Sequence, residues 1–226
     1  MKQVWHDLLF AHWPFDPDVV RSLVPEPLPL DTFEGRAWVG VVPFHITGVR
    51  PRFLPPLPVV SAFPELNVRT YVTRDGRPGV FFFSLDAGSR LAVEAARRFY
   101  YLPYVRARMA ATRRGDAVSY ESVRTDRRLP PAELRVRYRP VGPVRLAAPG
   151  SLDHWLTARY CLYTLDGTGA PRRCEIDHPP WPLQPAAAEF DAITMLRALG
   201  LSVPEVAPLL HFSRRLPVHV WWLDRV

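Results

Sequence analysis

The chain has 226 residues, of which 48% are hydrophobic and 12% aromatic, a composition that excludes a disordered chain and supports one domain over residues 1–226. The formal net charge is +7, and the basic residues include five separated arginine pairs without a nucleic-acid motif, so we expect attraction of small anions and no nucleic-acid partner. No apolar run approaches the ~20 residues that span a bilayer, and the first residues lack the apolar core of a secretory signal, so we expect a cytoplasmic protein with no membrane partner.

A short helix and a strand are predicted in the first 50 residues. Asp16 to Val24 is typical of a helix, since Asp16 can cap it and Pro17 occupies the first turn. Residues 36–46 are rich in β formers. A proline-rich loop from Gly48 to Pro64 follows, and its length is typical of a lid or rim.

The strongest hairpin signal joins Glu65–Val72 to Gly79–Asp86 through the turn at Asp75-Gly76. The first strand alternates strictly between polar and apolar residues. The second is apolar on both faces, so we predict that Val80 to Leu85 is almost entirely buried.

The second half of the chain shows no internal repeat and no shift in composition that would mark a domain boundary. The predicted elements are a helix over 89–98, strands over 116–123 and 133–138, a helix over 151–156, a hairpin around 166–169, a proline-rich corner over 178–185, a helix over 191–199 closed by Gly200, and a strand over 218–223.

Cys161 and Cys174 flank the turn at residues 166–169 symmetrically, so the spacing predicts that the two thiols lie opposite each other on a hairpin. A disulfide is then geometrically feasible, but a cytoplasmic protein favours two reduced thiols.

One strand carries the candidate ligand-binding side chains. Glu65, Asn67, Arg69 and Tyr71 share a face because side chains alternate along a strand. That face either meets water or lines a polar cavity, and in the second case Arg69 would bind a carboxylate. The seven histidines lack metal-ligand spacing and no glycine-rich phosphate loop is present, so we predict neither metal nor cofactor.

Several segments resemble known families. Val24-Pro25-Glu26-Pro27-Leu28 is similar to a stretch near the N-terminus of acetoacetate decarboxylases, and residues 63–72, 79–87 and 178–183 resemble the YqjF-like family of unknown function, which is related in fold to those decarboxylases. The resemblance implies a mainly β (α+β) fold, an acetoacetate decarboxylase-like antiparallel β-barrel around a central cavity with a few peripheral helices.

The catalytic lysine of the decarboxylases has no counterpart. Residues 91–104 resemble the decarboxylase stretch that ends in Pro-Lys, but Pro103 is followed by Tyr104, and Lys2 is the only lysine in the chain. A phenol cannot form the imine that a lysine forms. Glu65 aligns with a catalytic glutamate, whereas His6 and Trp38 fall at the positions of a substrate-binding arginine and a second glutamate.

For three further candidate sites, the sequence allows either a functional or a structural role. Tyr104 either contributes to a pocket or packs with its hydroxyl on a backbone carbonyl. Arg97 and Arg98 precede it by about a helical turn; one of them would bind an anion beside Tyr104 and the other would be a surface charge. His178, held by two prolines and a tryptophan, either transfers protons or is structural.

Two hypotheses of function follow. In one, the protein binds a small acidic metabolite, a carboxylate or keto acid, in a pocket without the Schiff-base lysine, and so is not an acetoacetate decarboxylase. In the other, a lysine-independent enzyme acts on such an acid through Glu65 and Tyr104. The sequence leaves a homo-oligomer open.

Overall fold

The computed structural model describes residues 1–50 and 62–226, in which strands predominate over a few short helices. The elements are β1 (Lys2–Phe15), α1 (Pro17–Arg21), β2 (Ala37–Arg50), β3 (Ala62–Arg74), β4 (Arg77–Ala87), α2 (Arg90–Tyr100), β5 (Tyr104–Arg114), β6 (Ala117–Arg124), β7 (Glu133–Pro140), α3 (Leu152–Thr157), β8 (Cys161–Leu165), β9 (Pro171–Asp177), β10 (Gln184–Ile193), a 3-10 turn (Arg197–Leu199) and β11 (Leu209–Arg225).

The strands form one mostly antiparallel sheet in the order β1-β2-β3-β4-β5-β6-β7-β10-β11-β9-β8. β1 also pairs with β11 and β4 with β8, so β1, β2, β3, β4, β8, β9 and β11 make a closed ring of strands. β4 runs parallel to β5 and to β8. The mainly β prediction is confirmed; the regular barrel stays a prediction.

Two hydrophobic clusters lie on opposite faces of β1, β2 and β3. One cluster lies inside the ring and contains Phe10, Val42 and Phe44. The other packs Leu9 and Val41 against residues of β6 and β7. These three strands are therefore covered on both faces. A polar side chain on either face of them is buried away from solvent.

The predicted hairpin of β3 and β4 is confirmed by its register, in which Val72 pairs with Gly79 and Arg74 with Arg77. Asp75 and Gly76 both have positive φ, 52° and 71°, as a two-residue type I′ turn requires. The register shifts between Val68 and Arg69, so β4 contains a bulge. Burial is less complete than predicted, because Phe81 and Phe83 remain partly exposed on the outer face of β4.

Several predicted boundaries were wrong. The helix predicted over 191–199 is instead the end of β10 and a 3-10 turn, because residues up to Ile193 pair with β7. β1 and β5 were not predicted; β1 is interrupted near Asp7, whose φ is 49°, and this breaks its alternation. The loop predicted over 48–64 was wrong at both ends, since 48–50 and 62–64 are strand residues. Residues 51–61, with the suggested lid, lie outside the described residues.

The prediction that the two cysteines face each other was wrong by one residue. Cys174 pairs with Leu162, and Cys161 pairs with Glu175. The loop holds five residues between Leu165 and Pro171, since the Asp166 side chain accepts from the backbone N–H groups of residues 168 and 170. The free thiols therefore point to opposite faces and belong to different hydrophobic clusters.

Among residues 1–50 and 62–226, no helix is long and apolar enough to cross a membrane. The same residues contain no group of three or more His, Cys, Asp or Glu side chains arranged to hold a metal ion.

Candidate functional site

A cavity of about 540 Å³ lies inside the ring of strands. Most of its lining is apolar, with aromatic side chains from β1, β2, β3 and β4 and a face of α2. The polar lining is concentrated in a few side chains, an arrangement common in small-molecule sites. These are Glu65, Asn67, Arg69, Tyr104, Arg159 and His178, together with Gln3 and Thr157.

The period of β3 explains why three of these groups enter the cavity together. Phe63, Glu65, Asn67 and Arg69 all line it, whereas Leu66 and Val68 belong to the cluster on the opposite face. Glu65, Asn67 and Arg69 are buried, with exposed fractions of 3%, 4% and 8%. The sequence left open whether this polar face meets water or lines a cavity, and in the structure it lines the cavity.

Glu65 and Tyr104 form a hydrogen-bonded pair at the cavity wall. The Tyr104 hydroxyl donates to Glu65 Oε2 at 2.7 Å. Parallel pairing of β5 with β4 brings Tyr104 opposite Leu85, which is itself paired with Asn67 of β3. Burial raises the pKa of Glu65 to about 7, and burial together with the neighbouring carboxyl raises the pKa of Tyr104 well above its usual value. Glu65 is therefore able to take up or release a proton near neutral pH.

We expect Glu65→Gln to remove a pH dependence of folding. The folded protein holds a proton on Glu65 from its usual pKa near 4.5 up to about 7, while the unfolded chain has released it. This contribution to stability is complete below pH 4.5 and is lost as pH rises through 7, with a slope of up to about 1.4 kcal/mol per pH unit. Urea unfolding from pH 4.5 to 8 should therefore show the wild type losing stability relative to the variant. Parallel profiles, like that expected for the exposed-site control Glu189→Gln, would contradict it.

Arg69 is a buried cation without a carboxylate partner among residues 1–50 and 62–226. Residues 51–61 contain no Asp or Glu. Its guanidinium carbon lies 5.1 Å from the centroid of the Phe10 ring, and Nη2 donates to the Tyr71 hydroxyl at 3.4 Å. Within the described part of the chain, Nε has no hydrogen-bond partner. Because an uncompensated buried charge is costly, this arrangement favours a bound anion.

Tyr71 lies behind Arg69 and is not part of the cavity lining. Its hydroxyl is 2.7 Å from His12 Nε2. Burial, then the charge of Arg69, lowers the pKa of His12 well below its usual value, so its imidazole is neutral. Since the Tyr71 hydroxyl accepts from Arg69, its own proton is available for a hydrogen bond to His12 Nε2. A side chain at Gly40 would meet the His12 ring at 2.8 Å, so glycine leaves room for this imidazole. Tyr71 thus supports Arg69, where direct ligand contact was predicted.

Arg159 is a second cavity arginine, and it lies in no sequence motif that could have identified it. Nη1 donates to Asp31 Oδ2 at 2.7 Å and Nε to the Trp155 carbonyl at 2.6 Å. Nη2 is buried and has no partner among the residues that the structure describes. Its guanidinium carbon lies 4.9 Å from the Tyr71 ring centroid, and that of Arg69 lies 5.7 Å from the same point. Two guanidinium groups therefore share one end of the cavity, and among residues 1–50 and 62–226 only Asp31 compensates them.

The remaining candidates have different surroundings. His178 lines the cavity, but Nδ1 is 2.8 Å from the Pro179 carbonyl and Nε2 is 3.4 Å from that of Arg159, an arrangement that favours a structural role. Arg97 does not line the cavity; its Nη1 donates to the Tyr104 carbonyl at 3.0 Å. His6 lies in a separate smaller pocket beside Thr47.

Comparison with known proteins gives matches over nearly the whole chain. The sequence model of the DUF2071 family, described as an uncharacterized conserved protein, matches residues 2–217. Uncharacterized protein YqjF of Bacillus subtilis (strain 168) is 47% identical over 225 residues, which cover 100% of this chain and 92% of the relative.

Two solved structures share the fold at low sequence identity. An acetoacetate decarboxylase-like enzyme from Sphingomonas wittichii RW1 has a TM-score of 0.67 at 14% identity, with 100% of this chain and 92% of that chain covered. The enduracididine biosynthesis enzyme MppR, complexed with pyruvate, has a TM-score of 0.65 at 11% identity, with 99% of this chain and 89% of that chain covered.

Proposed function

The chain belongs to the DUF2071 family, as its resemblance to YqjF-like sequences predicted, and from this premise and the chemistry of the cavity we propose that it binds a small carboxylate or keto acid inside the ring of strands. The observation that carries the proposal is Arg69, a buried guanidinium that faces the cavity without a carboxylate partner among the described residues. Its planar fork suits a carboxylate. A related fold holding pyruvate, in MppR, agrees with this ligand class.

Imine chemistry of the decarboxylase kind is not part of the proposal. Lys2 is exposed and lies on β1 between the lining residues Met1 and Gln3, so alternation directs its side chain away from the cavity. The position that resembles the catalytic lysine holds Tyr104, whose hydroxyl is bonded to Glu65. Borohydride reduction with a keto acid should therefore trap no adduct on a side chain that lines the cavity.

Calorimetric titration with acids and their matched primary amides tests the proposal. We expect keto acids and simple carboxylates to bind and to raise the unfolding temperature, because ligand at 100 times Kd stabilises the folded state by about 2.7 kcal/mol. The amides have nearly the same shape without the charge, so they should bind much more weakly. Equal affinity for acid and amide would refute a role for the arginines in carboxylate recognition.

A second candidate function, a lysine-independent enzyme, is favoured by the Glu65–Tyr104 pair. With the acid held on Arg69, ionised Glu65 would remove a proton next to the keto group, and the Tyr104 hydroxyl would donate to the developing enolate oxygen. Exchange of those protons in D₂O, followed by NMR, detects this step without knowledge of the final product.

Tyr104→Phe separates the two candidates. In an enzyme it should slow exchange about 100-fold, since it removes a hydroxyl donor and leaves the aromatic ring. In a binding protein it should leave the affinity for the acid nearly unchanged and no exchange would be seen in the wild type. Tyr101→Phe is a suitable control because the Tyr101 side chain is exposed and does not line the cavity.

A further inference from the structure

The shape and lining of the cavity restrict its ligand further. Resting on the proposed function, we infer that the ligand is a monocarboxylate with an extended apolar tail, and that Ala92 and Ala96 of α2 determine how long this tail can be.

The cavity is too large for a small keto acid alone. Its volume of about 540 Å³ corresponds to on the order of 18 water-sized groups at ~30 Å³ each. A molecule the size of pyruvate, with roughly six non-hydrogen atoms, would fill about a third of it on the same scale. The remaining space is bounded by apolar side chains that include Phe44, Phe63, Val80 and Phe82. An apolar group is the matching occupant, because burying it releases water from both surfaces.

The two arginines, Arg69 and Arg159, occupy the closed end of the cavity. Arg69 is followed on β3 by fully buried Tyr71, and Arg159 is 6% exposed. In the other direction, Glu65 is followed by Phe63, towards the end where the lining residues Leu91 and Ala95 reach solvent. Since Asp31 compensates Arg159, one guanidinium charge remains for the ligand. A single carboxylate at the closed end would therefore direct its tail past Glu65 towards the opening.

Small side chains on α2 leave room for that tail. α2 directs Leu91, Ala92, Ala95, Ala96 and Tyr100 towards the cavity, as helical periodicity requires. Fully buried Val93 anchors the helix, and the Ser89 side chain caps its first turn. Ala92 and Ala96 are partly buried and one helical turn apart, so longer side chains at these two positions would enter the space assigned to the tail.

Isothermal titration with unbranched carboxylates from acetate to dodecanoate, below their micellar concentrations, tests the inference. Each added methylene should lower Kd about fourfold until the cavity is full, from the usual transfer free energy of a methylene. Ala96→Leu should weaken the longest acids at least tenfold and move the plateau to shorter chains, while acids below the plateau bind as before. Ala92→Leu provides an independent second variant. Ala110→Leu, on an exposed position of β5, is the matched control and should leave the series unchanged.

The outcomes separate this inference from the proposed function. If acetate or pyruvate binds through Arg69 as tightly as octanoate, or if both α2 variants keep the wild-type length dependence, the inference is wrong while carboxylate binding stands. Tighter binding of dicarboxylates than of monocarboxylates would also overturn it. If no acid of any length binds, the inference and the proposed function fail together.

Discussion

Replacing Arg69 with alanine is expected to weaken binding of a carboxylate ligand by about 2–5 kcal/mol, roughly 30-fold to several thousand-fold in Kd. The loss is large because the ligand's carboxylate would then be buried without its hydrogen-bonded partner. Arg69→Lys keeps the charge but not the planar fork, so we expect an intermediate affinity. Titration calorimetry with one acid and its amide on all three proteins measures these differences.

The same variant should not destabilise the protein without ligand. Arg69 has no ion pair among the described residues, so its removal eliminates the cost of burying a guanidinium while leaving no opposite charge unpaired. Arg98→Ala, at an exposed position on α2, is the control for a general effect of net charge. If Arg69→Ala binds the acid with wild-type affinity, or if Arg98→Ala weakens binding equally, the assignment of Arg69 is wrong.

A second large effect is expected at the buried ion pair between Asp86 of β4 and Arg124 of β6. Arg124 donates from Nη2 to Oδ1 at 2.8 Å and from Nε to Oδ2 at 3.1 Å. The two side chains are 0% and 2% exposed. Arg124 also donates to Ser84 Oγ at 3.1 Å. Asp86→Ala should lower the free energy of unfolding by about 3–5 kcal/mol, because a buried guanidinium would lose its compensating charge.

Urea unfolding measures this effect, and two further variants interpret it. Asp116→Ala removes the exposed partner of Arg214 and should cost no more than about 1 kcal/mol. The double variant Asp86→Leu with Arg124→Met removes both charges and should recover most of the loss. A cost for Asp86→Ala as small as that for Asp116→Ala would show that Arg124 does not need Asp86 to compensate its buried charge.

Local sequence signals predicted the hairpin that carries the site. The Asp75-Gly76 turn and the alternation of β3 involve only a few neighbouring residues, so the hairpin can be predicted from them without knowledge of the rest of the fold. The orientation of the Glu65 face is different. A polar face towards water and one towards a cavity have the same pattern, and only closure of the ring through β1 and β11 places it inside.

Other features depend on contacts that no local pattern encodes. Arg159 precedes β8 outside any motif, and it reaches the cavity because distant Asp31 and nearby Trp155 hold its guanidinium. The predicted pairing of Cys161 with Cys174 was wrong because the loop between their strands, which the Asp166 side chain caps, is one residue longer than predicted. Residues 191–193 have a helical composition, but Ala192 and Ile193 pair with β7, so tertiary pairing outweighed propensity.

A crystal structure of the protein with a bound aliphatic carboxylate tests the central claim most directly. We predict carboxylate oxygens about 2.7–2.9 Å from guanidinium nitrogens of Arg69, the usual length of a charge-assisted hydrogen bond, with the tail extending past Glu65 and Tyr104 towards α2. A carboxylate bound away from Arg69, with the cavity filled only by water at saturating ligand, would contradict it.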